Sequence, residues 1–151
     1  MADVVDTATR SKMMAGIKGK NTKPELVVRR YLHGMGYRFR LHGKGLPGKP
    51  DIVLPGYKLV IFVHGCFWHR HFDCVYSTLP KTRSGFWNDK LSSNVERDKR
   101  HVIQLENAGW RVITIWECGL KHFPDRLDEI IHLIRSGVGV MVWPSSLPRV
   151  R

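Results

Sequence analysis

The order in which strand-like and helical stretches follow one another most limits what this chain can fold into. Tyr37–His42 alternates like a half-exposed strand, and Asp51–Leu54 and Lys58–Val63 are apolar runs joined by a turn at Pro55-Gly56. A helical stretch, Ser92–Ala108, then stops at Gly109, and Arg111–Trp116 reads as a buried strand. Ahead of the strands, Thr22-Lys23-Pro24-Glu25 is a helix start, with Thr22 as N-cap, Pro24 in the first turn and Glu25 reaching back as a capping box. That helix turns Leu26, Val27, Tyr31 and Met35 toward a core and ends around Gly34 and Gly36. A last helix runs from Pro124 or Asp125 to about Ser136. The order αβββαβ, with a trailing helix, predicts an α/β fold whose mixed central sheet is flanked by helices.

The chain's 151 residues suit one compact domain, and a hydrophobic content of 42% argues against wholesale disorder. We read residues 22–136 as that domain, residues 1–21 as a basic arm (a short helix or mobile segment), and residues 137–151 as a tail with no clear period. The charge narrows the partner. Lys and Arg total 25 against 13 Asp and Glu, a net charge of +12, which attracts polyanions and loses affinity as salt rises. Nucleic acid is the expected partner, and a membrane is not: no apolar run approaches the roughly 20 residues needed to span a bilayer. Met1–Arg10 holds two aspartates and no apolar centre, unlike a secretory signal, so a cytoplasmic, nucleoid-associated location is expected. A monomer is the default expectation.

The segment from His64 to Trp87 loses periodicity and collects His, Cys and aromatic residues. Cys66, His71, Cys74 and Cys118 are ligands of the kind zinc prefers, and Cys-x4-His-x2-Cys lets one loop wrap an ion that Cys118 would staple to the end of the fourth strand. His69 lies in the same loop, and spacing alone does not choose between it and His71. The other reading of the three cysteines is a buried core thiol at 118 and an unpaired or oxidised pair at 66 and 74.

Asp51 opens one strand while the next ends at Val63 and His64, and neighbouring strands lie about 4.8 Å apart. A carboxylate beside the Val63 carbonyl suits Mg²⁺, which would stabilise charge on a scissile phosphate. His69 can take a proton from the attacking water if Asp98 holds its other nitrogen, and His64 can face the phosphate as a cation or proton donor. Asp51 after Gly-Lys-Pro also suits a plain turn, Asp98 a solvated helix face, and Glu25 a capping role ahead of a catalytic one. Phe67, Trp68, Phe86 and Trp87 sit among Gly, Arg and Lys; such side chains wedge between base steps, or fill a metal loop, which is the reading for Phe86.

These residues together resemble the very short patch repair (Vsr) endonucleases. The likeness is carried by Leu46–Asp51, Val60–His69, Phe86-Trp87, Asn94–Asp98 and Gly109–Cys118, in order. It implies a restriction-endonuclease-like core and a structural Zn²⁺ at Cys66, His71, Cys74 and Cys118. It also implies Mg²⁺ at Asp51 and the main-chain oxygen of Val63, with His69, Asp98 and His64 around the scissile phosphate. The implied substrate is double-stranded DNA with a T:G mismatch, nicked 5′ of the thymine, with downstream repair proteins following the nick. Phe67, Trp68 and Trp87 match the family's wedge, Met14 matches an arm that grips the opposite groove, and Lys90 lies near the mismatched pair. The chain departs from the family pattern at Val63 and Arg70, and its loop before Cys74 is one residue longer. A same-fold nuclease of restriction or a mobile element, and a non-catalytic DNA-binding module, are the alternative readings.

Overall fold

The computed structural model describes residues 21–148. Residues 1–20 of the basic arm, Met14 among them, therefore lie outside the described residues. Among the described residues, four α-helices and five strands follow one another as α1 (Lys23–Gly34), β1 (Arg40–Leu41), β2 (Ile52–Leu54), β3 (Leu59–His64), α2 (Ser84–Asn107), β4 (Arg111–Trp116), α3 (Glu117–His122), α4 (Asp128–Arg135) and β5 (Val140–Trp143). The strands form one sheet in the order β1-β2-β3-β4-β5. The first three pair antiparallel, β4 joins β3 in parallel through the α2 crossover, and β5 joins β4 in parallel. The mixed sheet flanked by helices is as the element order predicts.

Strand alternation sorts the core into two layers. Ile52, Leu54, Leu59, Ile61, Ile113 and Ile115 face α1 and α4, where Val28, Leu32, Ile130 and Ile134 meet them. Val53, Val60, Phe62 and Val112 face the other way and pack on Leu105 of α2. A fully buried side chain of this kind contributes roughly 1.5–3 kcal/mol. The same alternation decides where the chemistry goes: His64 follows Val60 and Phe62 onto the α2 side.

Several sequence expectations shift. The capping box at Thr22 is present, and Glu25 closes it. The buried stripe of α1 is Glu25, Val28 and Leu32, however, and Val27 and Met35 are exposed. A charged residue opening the buried face hid the true stripe from a search for apolar periodicity. The first strand shrinks to Arg40–Leu41, because His42 takes a left-handed φ of 52° and turns the chain away. Helix α2 begins at Ser84, eight residues before the apolar pattern suggested, so Phe86 and Trp87 sit in its first turn and not in an irregular loop. The segment without a period supplies the fifth strand: Val140–Trp143 buries Met141 and Trp143 and exposes Val140 and Val142. Behind it, Gly119 of α3 meets the segment after β5 so closely that a Cβ there would lie 2.6 Å from Pro144 Cδ and 2.8 Å from Trp143 Cζ3. Among the described residues no helix is long and apolar enough to cross a membrane.

Candidate active site and metal centre

A cleft of about 1300 Å³ opens where the C-terminal ends of β3 and β4 meet α1 and α2. Glu25, Asp51, Val63, His64, His69, Asp98 and the aromatic pair Phe67 and Trp68 all line it. Residues scattered over more than seventy positions of sequence thus share one wall. Lys90 and Lys49 bring positive charge to its rim, as a cleft for a polyanion requires.

At its floor the Asp51 carboxylate accepts a hydrogen bond from the Val63 N–H at 2.7 Å. In an extended strand the N–H and C=O of one residue point the same way, so the Val63 carbonyl faces the Asp51 side as well. Glu25 stands beside Asp51 and is only 2% exposed. Its Oε2 accepts from the Thr22 N–H at 2.8 Å and the Thr22 hydroxyl at 2.9 Å. Its Oε1 is buried with no hydrogen-bond partner, with Arg29 and His42 at 3.7 and 3.8 Å. Burial and the neighbouring Glu25 carboxylate push the Asp51 carboxyl up to about 8. Burial works against Glu25 too, but Asp51, Thr22 and Arg29 outweigh it and hold its carboxyl below the usual range. Two acids crowded together with one oxygen unpartnered make a poor resting arrangement and a good hard-cation site. The donor set fits a divalent ion.

Above the floor, His69 Nδ1–H donates to Asp98 Oδ2 at 2.6 Å, the pairing the sequence suggested across 29 residues. Burial would raise the Asp98 carboxyl, but the His69 hydrogen bond and nearby positive charge prevail and lower it. Asp98 therefore stays ionised and fixes the His69 tautomer, leaving Nε2 as the acceptor. The His64 ring stacks on His69 at 3.7 Å between centroids and 3° between planes. Burial, then the proximity of His69, depress His64 to about 3, so the free protein presents it as a neutral ring and not a cation. His64, His69 and Asp98 also lie close enough to hold an ion. The short His69–Asp98 bond occupies the facing atoms and favours the acid–base reading.

The second cluster comprises Cys66, His71, Cys74 and Cys118, with donor atoms within 4.8 Å of one another. Cys66 Sγ and Cys118 Sγ stand 3.6 and 3.5 Å from His71 Nδ1, so the structure selects His71 for this cluster and His69 for the cleft. All three thiols are free and buried. Burial raises Cys66, and raises Cys118 to about 11, so the protein alone holds neutral thiols that a soft cation would deprotonate. Three thiols and an imidazole are a donor set that fits a tetrahedral metal.

The aromatics form a T-shaped group. Phe67 lies 5.2 Å from Trp68 and 5.4 Å from Trp87, and Trp68 lies 5.8 Å from Trp87. Phe86 does not fill the metal loop; it is half exposed, packs on Trp87 and carries the Arg83 guanidinium over its ring at 4.4 Å. The helix start at Ser84 carried it there. Lys90 is exposed at the cleft rim.

Sequence reasoning missed Asn94 and His101. Asn94 is buried and donates to the Trp68 carbonyl at 3.0 Å, while Arg70 reaches Ser92 at 2.9 Å. Residues 68, 69 and 70 are thus each tied to α2. The helical spacing of positions 94, 98 and 101 was the available signal.

Comparison with known proteins decides what kind of molecule carries this cleft. The family model described as DNA mismatch endonuclease Vsr matches residues 2–75. The type II nicking enzyme V.XorIIP of Xanthomonas oryzae pv. oryzae is 49% identical over 80% of this chain and 88% of its own length. The DNA mismatch endonuclease Vsr of Escherichia coli K12 is 46% identical over 87% of this chain and 83% of its own. The type II nicking enzyme V.NmeAIP of Neisseria meningitidis is 43% identical over 91% and 100%. The chain belongs to the Vsr family. It is a DNA endonuclease with a restriction-endonuclease-like core, and DNA is its substrate class. A Vsr nuclease implies a divalent metal, and both donor sets above are compatible with metal binding.

Proposed function

We propose that this Vsr endonuclease nicks one DNA strand 5′ of the thymine in a T:G mismatch, using Mg²⁺, and so opens very short patch repair. The observation that carries this reading is the single cleft that joins an acid pair, a carboxylate-held imidazole and an aromatic group. Two relatives are named for nicking and a third for mismatches, which supports the same substrate.

Asp51, Glu25 and the Val63 carbonyl would hold the ion, which when bound neutralises charge building on the phosphate. His69 Nε2 takes a proton from the attacking water while Asp98 stabilises the imidazolium that forms. His64, held neutral, lies flat against His69 and keeps its ring oriented. Phe67, Trp68 and Trp87 enter the stack at the mismatch, where unstacking is cheapest, at a cost of a few kcal/mol per step offset by new contacts. Lys90 approaches the mismatched pair, and Met14 grips the opposite groove. Zn²⁺ at Cys66, His71, Cys74 and Cys118 is structural. The protein acts as a monomer near the nucleoid, and repair proteins take over the nicked product.

Matched and T:G duplexes, labelled on either strand and incubated with Mg²⁺, test this. A single cut 5′ of the mismatched thymine is expected; equal cutting of both duplexes would overturn the mismatch claim. His69→Ala should slow single-turnover nicking by roughly 10²–10⁴-fold with little change in duplex affinity. Nicking at the parental rate would remove His69 from the chemistry.

A further inference from the structure

Beyond the metal cluster, at the end of the cleft away from the acid pair, three side chains converge that the nicking reaction does not use. The Tyr76 hydroxyl is 2.6 Å from His122 Nε2, and the two rings stack at 5.7 Å. Lys121 Nζ lies 4.6 Å from the Tyr76 ring centroid. Tyr76 and Lys121 both line the cleft.

The grouping is built by the metal cluster. Tyr76 is two residues past Cys74, on a single 3₁₀ turn over Val75–Ser77. Lys121 and His122 follow Cys118 on α3, which has six residues. Neither element is long enough to persist alone. The Cys118 N–H donates to Cys66 Sγ at 3.3 Å, and the Ser77 hydroxyl donates to the His71 and Cys74 carbonyls at 2.6 and 2.8 Å, so both elements hang from the cluster.

Its chemistry suits an anion. Lys121 makes no ion pair with a carboxylate among the described residues. Glu117, the acid nearest in sequence, also lines the cleft, but its carboxylate points toward Gly65. An ammonium over an aromatic face is held in a set direction, and a phenol held by an imidazole keeps its oxygen at a fixed place. In a cleft that takes DNA, the anion met there is a backbone phosphate.

We propose that Tyr76, Lys121 and His122 form a second DNA-backbone anchor, assembled by the Cys66–His71–Cys74–Cys118 cluster, that grips a phosphate away from the cut. It rests on the chain's being a DNA endonuclease and is independent of the mismatch reading, because matched duplex tests it without cleavage.

Fluorescence anisotropy of the full-length protein with a matched duplex, without added Mg²⁺ and across a salt series, gives the answer. Lys121→Ala should weaken binding by about three- to tenfold and lower the salt slope by about one charge. Lys121→Arg should restore most of the affinity, and Tyr76→Phe should weaken binding less than Lys121→Ala. Lys99→Ala removes the same charge from an exposed site on α2 outside the cleft and should leave affinity and slope near the parent. Equal losses from Lys121→Ala and Lys99→Ala would overturn the anchor and leave only net charge. In protein stripped of the cluster metal and still folded by circular dichroism, Lys121→Ala should cost nothing further. A full additional loss there would overturn the dependence on the cluster.

Discussion

Asp51→Asn should abolish strand nicking, by roughly a thousandfold or more, while duplex affinity stays within about threefold of the parent. The substitution keeps the shape and an oxygen to accept the Val63 N–H, but it removes the charge a divalent ion needs. Its effect on stability has the opposite sign. In the metal-free protein the Asp51 carboxyl is raised from 3.8 to about 8 by burial and by the Glu25 carboxylate. A folded-state value above the unfolded one gives stability that is present in acid and lost as pH climbs through about 8. Asparagine has no proton to lose there. Without divalent metal the variant should therefore melt at or above the parent's temperature, and the gap should widen between about pH 4 and about pH 8. Calorimetry of both proteins in chelator-treated buffer that leaves the thiol-held metal in place measures it. An inactive variant that melts well below the parent would make Asp51 a structural residue.

Removing the metal from the thiol cluster should cost more than any single side chain. Cys66, Cys74 and Cys118 line a satellite core of their own, with Tyr76, Trp116 and Leu147 packed around it. That core is too small to close the loop between Cys66 and Cys74 by apolar burial. Structural zinc contributes on the order of 10 kcal/mol in small domains, so stripping it should lower Tm by about 20 °C or more. Elemental analysis should find one zinc per chain. A strong chelator should lower Tm, and readdition of zinc should restore it. Protein that folds fully and melts unchanged without any bound metal would reduce the cluster to packed thiols. Cys118→Ser should act in the same direction and also disturb α3.

Much of this was legible in the sequence, for identifiable reasons. Continuous apolar runs in β2, β3 and β4 located the sheet, because strands buried on both faces carry few polar residues. The His69–Asp98 pair was legible from chemistry, since a base needs an orienter and Asp98 sits on the face of α2 that meets the loop. Four features stayed hidden. The buried stripe of α1 opens with Glu25, a charge the capping box explains but whose burial only the fold brings about. Helix α2 starts with Arg83 in a left-handed conformation and no side-chain cap, so no capping signal marks Ser84. Strand β5 is an edge strand of four residues, whose pattern of exposed Val140 and Val142 reads as noise until β4 lies beside it. The Asp51–Glu25 pairing was missed because a capping box explains Glu25 completely by itself.

Gly119 gives the C-terminal segment leverage over a centre far from it in sequence. With Pro144 and Trp143 pressed where its side chain would be, this glycine works as an eyelet through which the segment after β5 pins α3. Any side chain at 119 would push the pin out and swing Cys118, one residue away, off Cys66, His71 and Cys74. Tolerance to change around residues 143–144 is therefore governed by the geometry of the thiol cluster, and destabilising variants there should surface first as metal loss.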